Sequence, residues 1–415
     1  RDIGVTGVQT CALPISTLTQ RDDDLAPLCT LGRERLLAAL ADRFPDAPVG
    51  GTDHVIRGGR RMALERLARV DPAAYAATRN SVGGSVTGLS PWIRHGVLSL
   101  AEVRDHAITV AGSPAVAEKL VSELGWRDYW QRVRAAIGDA ILAPVEAPLA
   151  IPVRESSTDL PAEVAEGRTG LACIDAFLRR LIATGLLHNH ERMWLASWMV
   201  HTRGIDWRAG AAFFLAHLLD GDPASNHLSW QWVAGTFSAK PYLARRAVIE
   251  GCTDGIHCRG CAVAASCPFD GDDDQIAARA FRGTNERPPL RIAPAAPWHP
   301  PSRPPRHPLV WLSLDSASAT GPAVAEAPGA PAVFVVDPRW LTEERPSIGR
   351  LAFLFECLAD VAGVRVVVGD PAEVIFFSNM KKNILYLVLV LVLGAMAYWF
   401  FYGKKSTNTL STEEK

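Results

Sequence analysis

The stretch that decides the fold is Asp220-Gly-Asp222-Pro-Ala-Ser-Asn226-His-Leu-Ser-Trp230-Gln-Trp232, a polar loop that leads directly into two tryptophans. Burying two carboxylates and an amide beside two indoles is costly unless each polar group has a partner, and a large polar ligand would supply such partners. The alternative is a helix start in which Asp220 or Asp222 caps the helix and the tryptophans pack as core. The loop alone leaves both interpretations open.

The composition describes a globular chain with no overall preference for nucleic acid. Its 415 residues are 48% hydrophobic, enough for two or three domains, and the formal net charge is -1. A chain so close to neutral binds DNA only through a local basic patch. Eight cysteines, four of them between 252 and 267, are unlike a secreted disulfide framework, so we expect a protein of the reducing bacterial cytoplasm.

Both ends of the sequence differ from the rest. Residues 5–15 resemble the translation of a sequencing adapter, so we expect residues 1–16 to be foreign to the fold. Residues 1–379 contain 36 Arg and 2 Lys, whereas 380–415 contain 5 Lys and no Arg. This change leads us to expect that 376–415 is also a foreign tail.

The C-terminal tail contains an apolar run of 18 residues, 384–401, which is long enough to cross a bilayer. It follows Met380 and two lysines, as at the start of an exported or membrane-anchored protein. We expect this transmembrane or signal-anchor helix not to be native, so that no membrane is involved. The alternative is a true C-terminal anchor on a soluble enzyme.

Between the ends, the apolar spacing predicts four successive parts. Residues 17–70 and 71–285 show mostly helical spacing, which predicts an N-terminal helical part followed by a mainly α domain. Nine prolines within 286–308 exclude helix and central strand and predict an extended linker. Short apolar runs then predict strand, strand, helix and strand within 309–375, which is typical of part of a parallel α/β sheet.

Four motifs follow one another in the predicted α domain: Gly-Ser-Val-Thr-Gly-Leu-Ser-Pro-Trp-Ile-Arg-His-Gly at 84–96, Glu-Leu-Gly-Trp-Arg-Asp-Tyr at 123–129, Thr-Gly-Leu-Leu-His-Asn-His-Glu-Arg-Met at 184–193, and the opening stretch. In kind and order they resemble the flavin domain of the DNA photolyase and cryptochrome family, over roughly 71–250. The resemblance implies a mainly α FAD-binding domain of photolyase type. The third motif departs from the family at His190 and Leu186, where Arg and Trp are common.

The part at 309–375 resembles the light-harvesting α/β domain of the same family. That domain normally precedes the flavin domain, whereas here the similar segment follows it and stops early. The resemblance implies a truncated Rossmann-like α/β segment and leaves the antenna chromophore unknown.

FAD is the cofactor that the resemblance implies. Small hydroxyl residues and backbone N–H groups at a helix start can form an anion site for its phosphates, although a helix cap without a ligand is the alternative. In the family, the counterpart of Arg192 pairs with that of Asp220, and the counterparts of Asp222 and Asn226 face the flavin ring. The implied FAD-binding residues are Tyr75, Thr87, Gly88, Leu89, Ser90, Arg192, Asp220, Asp222 and Asn226.

The resemblance also implies an electron relay and a pocket for damaged DNA. The implied catalytic residues are Asn226, beside the reactive flavin nitrogen, and Trp230 and Trp207, the inner and middle members of a tryptophan chain whose outer member is unassigned. An indole can stack on an extruded base and a carboxylate can bond its polar edge, although a lone helical Trp is usually core. The implied substrate-binding residues are Glu123, Trp126, Arg127, Asn189, Met193 and Trp232.

A cysteine cluster forms a separate signal. The spacing Cys252-x5-Cys258-x2-Cys261-x5-Cys267 can close around one metal, and thiolates favour zinc or an iron-sulfur cluster. Free thiols or disulfides are the alternatives. We expect Cys29, Cys173 and Cys357 to be isolated apolar core residues.

The resemblance implies a lyase that uses light and reduced FAD to repair cyclobutane pyrimidine dimers in DNA, acting as a monomer. Met193 resembles the enzymes for that lesion. The alternatives are a cryptochrome-like blue-light photosensor without repair activity and a flavoprotein that does not respond to light.

Overall fold

The structure is a computed structural model that describes residues 24–53, 56–285 and 310–370. The longest of these ranges, 56–285, is mainly helical, as predicted. The helices up to residue 285 are α1 (Arg33–Arg43), α2 (Arg60–Leu67), α3 (Pro72–Thr78), α4 (Ser90–Arg94), α5 (Leu100–Ala111), α6 (Pro114–Ile137), α7 (Ala162–Ala165), α8 (Ala172–Thr184), α9 (Asn189–Ser197), α10 (Trp207–His217), α11 (Pro223–Ala234), α12 (Arg246–Cys252) and α13 (Asp273–Ala280).

Two small sheets accompany the helices. In the first, β1 (Ala150–Pro152) pairs antiparallel with β2 (Phe281–Thr284). The second is parallel and has the order β3 (Val310–Leu312), β4 (Ala332–Val336) and β5 (Arg365–Val368), with α14 (Pro322–Glu326) and α15 (Ile348–Leu358) between its strands. The central strand β4 is buried throughout, as expected for a parallel sheet covered on both faces. The three predicted strands and the helix between the last two are present, whereas the short α14 between β3 and β4 was not predicted.

The main helical core lies between α8, α9, α10 and α11. The apolar face of α8, which includes Ile174 and Phe177, packs there with Phe214 of α10 and Trp230 of α11. Trp194 is buried in the same core. This packing fixes the relative positions of α9, α10 and α11, which carry most of the predicted site.

The N-terminal helix α1 packs on the α/β segment rather than on the flavin-type helices. Leu36 and Leu40 are buried in one core with Phe334 of β4 and Leu354 of α15. The spacing of residues 17–70 predicts this helix but contains no signal for its partner, which lies some 300 residues away in the chain.

The helix α15 is buried between two cores. One face belongs to the α/β core, while Phe353 and Cys357 join a second core that includes Trp92 of α4 and Leu219 before the Asp220 loop. The rings of Trp92 and Phe353 lie 5.8 Å apart. The α/β segment is therefore packed against α4 and against the start of the Asp220 loop, two of the segments that carry predicted flavin residues.

Several sequence predictions fall outside the described residues: the foreign N-terminal stretch, the proline-rich linker and the foreign tail with its apolar run. Within the described ranges, the helices are all too short or too polar to cross a membrane.

Candidate functional site

A cavity of about 420 Å³ opens between α6, α9, α10 and α11. It brings together residues from three of the four motifs, although these motifs are separated by up to about a hundred positions in the sequence. The predicted site residues that line it are Glu123, Trp126, Arg127, Asn189, Arg192, Met193, Asp220, Asp222, Asn226, Trp230 and Trp232.

Asp220 forms the ion pair that the resemblance implies. Nη2 of Arg192 lies 3.1 and 3.0 Å from the two carboxylate oxygens of Asp220. Burial is the largest influence on this carboxylate and favours its neutral form, but the charge of Arg192 and hydrogen bonds from Ser90 and Arg192 outweigh it. The pKa of Asp220 therefore lies below its usual value, and the group is an anion at neutral pH.

Asp222 is a helix cap, as one of the two interpretations of the loop predicts, and it also faces the cavity. Its carboxylate caps α11 by accepting the N–H of Ala224 at 3.0 Å, and it also lines the cavity. It accepts a hydrogen bond from Nε2 of Gln131 at 2.5 Å and pairs with Nη2 of Arg127 at 3.2 Å. Burial opposes ionisation, but Arg127 and the other donors hold the pKa of Asp222 below its usual value.

The amide of Asn226 is anchored from one side. Nδ2 donates to the backbone carbonyl of Ala211 at 2.9 Å, and the side chain is otherwise buried at the cavity wall. This bond ties α11 to α10 and fixes the direction of the amide.

The two predicted relay tryptophans are both buried in the main core. Trp230 packs edge-on against Phe214, with ring centroids 5.0 Å apart. The ring of Trp207 lies edge-on to His227 at 6.0 Å. Trp207 begins α10, and Trp230 packs against the next turn of that helix, so the two indoles occupy one helix interface.

Two indoles at the mouth of the cavity are unusually exposed. Trp126 is 54% exposed and Trp232 is 38% exposed. Trp126 is stacked on Trp130 at 5.7 Å, and Trp232 is stacked on Tyr242 at 5.4 Å. The interpretation of Trp126 as a core residue is therefore wrong, because its ring lies at the surface and is held there by aromatic neighbours.

The polar rim of the cavity is also held in place. The carboxylate of Glu123 pairs with Arg79 at 2.9 Å and with Lys119 at 3.5 Å. Nδ2 of Asn189 donates to Sδ of Met193 at 3.4 Å, as expected for residues four apart on α9.

Five predicted FAD-binding residues do not line this cavity: Tyr75, Thr87, Gly88, Leu89 and Ser90. Leu89 is fully buried in the core beside α4. Arg66 holds the loop by donating to the carbonyl of Thr87 at 2.6 Å. This segment is linked to the cavity by the hydrogen bond between the side chains of Ser90 and Asp220.

The sequence-based site also omitted residues that line the cavity, such as Trp130, Ser225 and Ser229. Trp130 lies four residues after Trp126, so both project from the same face of α6. That spacing is a signal from which Trp130 could have been predicted.

The cysteines are arranged differently from the predicted cluster. Cys258, Cys261 and Cys267 line one small cavity together with Cys173 of α8, whereas Cys252 is not part of its lining. Cys252 ends α12, and the chain turns away before the Cys258 loop folds back towards α8. The expectation that Cys173 is isolated is wrong.

The thiol of Cys173 is protonated at neutral pH. The pKa of Cys173 is raised to about 12, chiefly by burial and also by the nearby Cys258, Cys267 and Cys261. All seven cysteines in the described ranges are free thiols. Within those ranges, no three His, Cys, Asp or Glu side chains come close enough together to hold a single metal ion.

Known proteins resemble part of this chain. Residues 120–251 match the family model of the FAD binding domain of DNA photolyase. A deoxyribodipyrimidine photo-lyase of Streptomyces griseus is 36% identical over 181 residues, which cover 43% of this chain and 39% of the relative. A cryptochrome DASH, chloroplastic/mitochondrial, of Oryza sativa subsp. japonica is 35% identical over 189 residues, which cover 43% and 32%.

A solved cryptochrome structure from Synechocystis sp. has 27% identity and a TM-score of 0.43, and the match covers 49% of this chain and 44% of that one. The chain spans about two fifths of the length of the curated relatives it matches. The matched region contains the cavity with Asp220, Asp222 and Asn226. Residues 120–251 therefore match the FAD binding domain of DNA photolyase, and the relatives of this region are named photolyase and cryptochrome DASH.

Proposed function

We propose that this protein is a lyase that uses light and reduced FAD to repair cyclobutane pyrimidine dimers in DNA. The observation that carries the proposal is one cavity with buried carboxylates on its inner wall and two exposed indoles at its mouth. The inner wall suits a polar cofactor, and the mouth suits an extruded base. The relatives include proteins named deoxyribodipyrimidine photo-lyase, which supports the same assignment.

The residues of the inner wall fit FAD. Asp220 and Asp222 are buried anions that accept N–H donors, and Asn226 presents an anchored amide between α10 and α11. Arg192 and Arg127 keep these carboxylates charged and fixed in direction. FAD, when bound, supplies the light absorption and the electron transfer. The protein positions it and excludes water.

The mouth of the cavity fits a pyrimidine dimer flipped out of the duplex. The free faces of Trp126 and Trp232 can stack on bases, and such contacts contribute about 1–3 kcal/mol per base. The carboxylate of Glu123 can accept a hydrogen bond from a base edge. Asn189 and Met193 border the same opening.

Trp230 and Trp207 are proposed as the inner part of the relay that photoreduces the flavin. Trp230 lines the cavity, and Trp207 lies behind it at the interface between α10 and α11. The expected readout is slower photoreduction in Trp230→Phe and in Trp207→Phe. Trp198→Phe, in a buried tryptophan outside the relay, is the matched control.

We further propose that Cys173, Cys258, Cys261 and Cys267 hold an iron-sulfur cluster. A single zinc ion at about 2.3 Å from each sulfur requires four thiolates within about 4 Å of one another. Within the described ranges no side chains are grouped so tightly. Iron-sulfur clusters are held by Cys thiolates, and four cysteines line this one cavity.

The second candidate is a blue-light photosensor, which the relatives named cryptochrome DASH favour. The deciding experiment illuminates the purified, FAD-loaded and reduced protein with an oligonucleotide that contains a cyclobutane dimer. We expect blue light to restore the intact pyrimidines and darkness to leave the dimer unchanged. A protein that photoreduces its flavin but leaves the dimer unchanged would support the photosensor.

The DNA side of the cavity is tested separately. Trp126→Ala and Trp232→Ala are expected to weaken binding of dimer-containing DNA by tenfold or more while leaving FAD bound, because both indoles lie at the mouth. Val116→Ala truncates an exposed apolar side chain of α6 that does not line the cavity and is the control. Equal loss in all three variants would contradict a specific role for the two indoles.

A further inference from the structure

Two buried arginines hold the backbone between Asp220 and Asp222. The carbonyl oxygen of Gly221 accepts a hydrogen bond from Nε of Arg94 at 2.9 Å and another from Nη2 of Arg350 at 2.8 Å. Arg94 is 3% exposed and Arg350 is completely buried. One carbonyl therefore uses both of its lone pairs on guanidinium groups from distant parts of the chain.

Gly221 allows this contact because it lacks a side chain. A Cβ at this position would lie 2.7 Å from Cζ of Arg350 and 2.9 Å from its Nη2. Even alanine would therefore push the guanidinium out of place. The missing side chain of Gly221 therefore leaves the space that the guanidinium of Arg350 occupies.

Arg350 belongs to α15 of the α/β segment, and its guanidinium is fixed on several sides. Nη1 donates to the carbonyl of Leu215 in α10, and Nη2 also pairs with Glu344 at 2.9 Å. The ring of Trp340 covers it at 5.5 Å, and Nε1 of Trp340 donates to the same carboxylate of Glu344. A guanidinium is costly to bury unless its N–H groups find acceptors, and most of these acceptors lie in the flavin-type domain.

The other motif near the cavity is held by the α/β segment in the same way. Arg94, at the end of α4, pairs with Asp315, and the neighbouring His95 makes a hydrogen bond with the carbonyl of Leu314 at 2.9 Å. Ser90, at the start of α4, bonds to Asp220. The α/β segment thus contacts both loops that flank the buried carboxylates.

We propose that Arg350 is a positioning residue for the flavin site, through which the packed α/β segment holds Asp220 and Asp222 in the geometry that binds FAD. This inference rests on FAD as the cofactor of the proposed function. It assigns to the α/β segment a role in cofactor binding that does not require an antenna chromophore.

The test is a double-mutant cycle in the full chain, with the FAD dissociation constant measured by titration of the apoprotein. Arg350→Met and Gly221→Ala are each expected to weaken FAD binding at least tenfold, because each breaks the same contact from one side. The double variant is expected to bind FAD no more weakly than the worse single variant. Arg350→Lys, which keeps the charge and one donor nitrogen, is expected to recover part of the affinity.

The matched control is Arg33→Met. Arg33 is buried and pairs with Glu356 of the same helix α15 at 3.0 Å, but it does not contact residues 220–222. We expect this variant to lose stability and keep its FAD affinity, when all titrations are made below the unfolding transition. A shift of the flavin midpoint potential in Arg350→Met but not in Arg33→Met would separate positioning from general stability.

The outcomes are distinct. If Arg350→Met binds FAD as the wild type does, or if the two single effects add in the double variant, the positioning role is wrong. If the wild type binds FAD but leaves dimers unrepaired, the repair function fails while the positioning role is still decided by the cycle. If the wild type binds no FAD, both fail.

Discussion

Gly210 of α10 lies directly against the indole of Trp230 in α11. A Cβ at residue 210 would lie 2.2 Å from Cη2 and 2.5 Å from Cζ3 of that ring. The missing side chain therefore allows α10 and α11 to approach each other, and it places Trp230 one helical turn from Trp207. The relay proposed for this protein depends on this contact between a glycine and a tryptophan.

We predict that Gly210→Ala displaces the indole of Trp230 and destabilises the protein by about 1–3 kcal/mol, the usual cost of overpacking a core. Urea unfolding measures the loss, and flavin photoreduction should slow in the same variant. Gly125→Ala is the control, because a methyl group at this position of α6 would meet no described atom within 4 Å. It should instead stabilise the protein by about 0.5–1 kcal/mol. Unchanged stability in Gly210→Ala would show that the helix pair can relax around the extra methyl group.

Asp222→Ala is predicted to abolish FAD binding and to destabilise the protein by about 3–5 kcal/mol, because it leaves the partly buried Arg127 unpaired as well as removing a helix cap. The control is Asp71→Ala. Asp71 caps α3 at the surface by accepting the N–H groups of Ala73 and Ala74, so its loss should cost only about 1 kcal/mol. Thermal unfolding and FAD titration measure both variants. Similar losses of stability and FAD affinity in the two would show that Asp222 acts only as a helix cap.

For the cysteine cavity, we predict that Cys173→Ser loses bound iron and inorganic sulfide, while Cys252→Ser retains both. The reason is that Cys173 lines the cavity with Cys258, Cys261 and Cys267, and Cys252 does not. Metal and sulfide analysis of protein purified without oxygen decides the matter. One zinc per chain, or an equal loss in both variants, would contradict the proposed ligand set.

The stability of the protein is predicted to fall as the pH drops from about 6.5 towards 4. The pKa of His95 is lowered to about 3, chiefly by burial and also by Arg94 and Arg350, and burial lowers the pKa values of His201 and His217 to about 4. The unfolded chain therefore binds more protons than the folded one across this window, so acid favours unfolding. Each histidine contributes at most about 1.4 kcal/mol per pH unit.

This pH dependence can be separated from that of the buried carboxylates. The pKa values of Asp220 and Asp222 are lowered, so their contribution is complete above their ordinary range and is lost only in stronger acid. Urea unfolding between pH 7.5 and 5 therefore reports the histidines. His217→Gln should reduce the slope by up to about one proton, and a slope equal to that of the wild type would exclude His217 as a contributor.

Local patterns were sufficient for much of the fold. The apolar patterns within 309–375 predicted the helix α15 and the strands β4 and β5. Such patterns succeed because helix and strand formation depend on neighbours within a few residues. The pair of Arg192 and Asp220 was implied by a family resemblance, and the structure contains it.

The remaining contacts join residues that are far apart in the chain. Cys173 meets Cys258 across 85 positions, and Arg350 meets Gly221 across 129. No local pattern of apolar residues predicts such a pairing, because the pairing depends on how whole helices pack against one another. For the same reason, the sequence suggested that Cys252 belongs to the cysteine cluster and that α1 belongs to an N-terminal part of its own.

The sequence by itself determined the helices, the short parallel strands and the polar loop from Asp220 to Trp232, because each depends on residues that are close together in the chain. Only the tertiary structure decided which side of that loop faces the cavity and which residues hold its opposite side. The reason is that buried charged groups need hydrogen-bond partners. The carboxylates of Asp220 and Asp222 and the buried Arg94 and Arg350 can be buried only where residues of α6, α9 and α15 take part in those contacts.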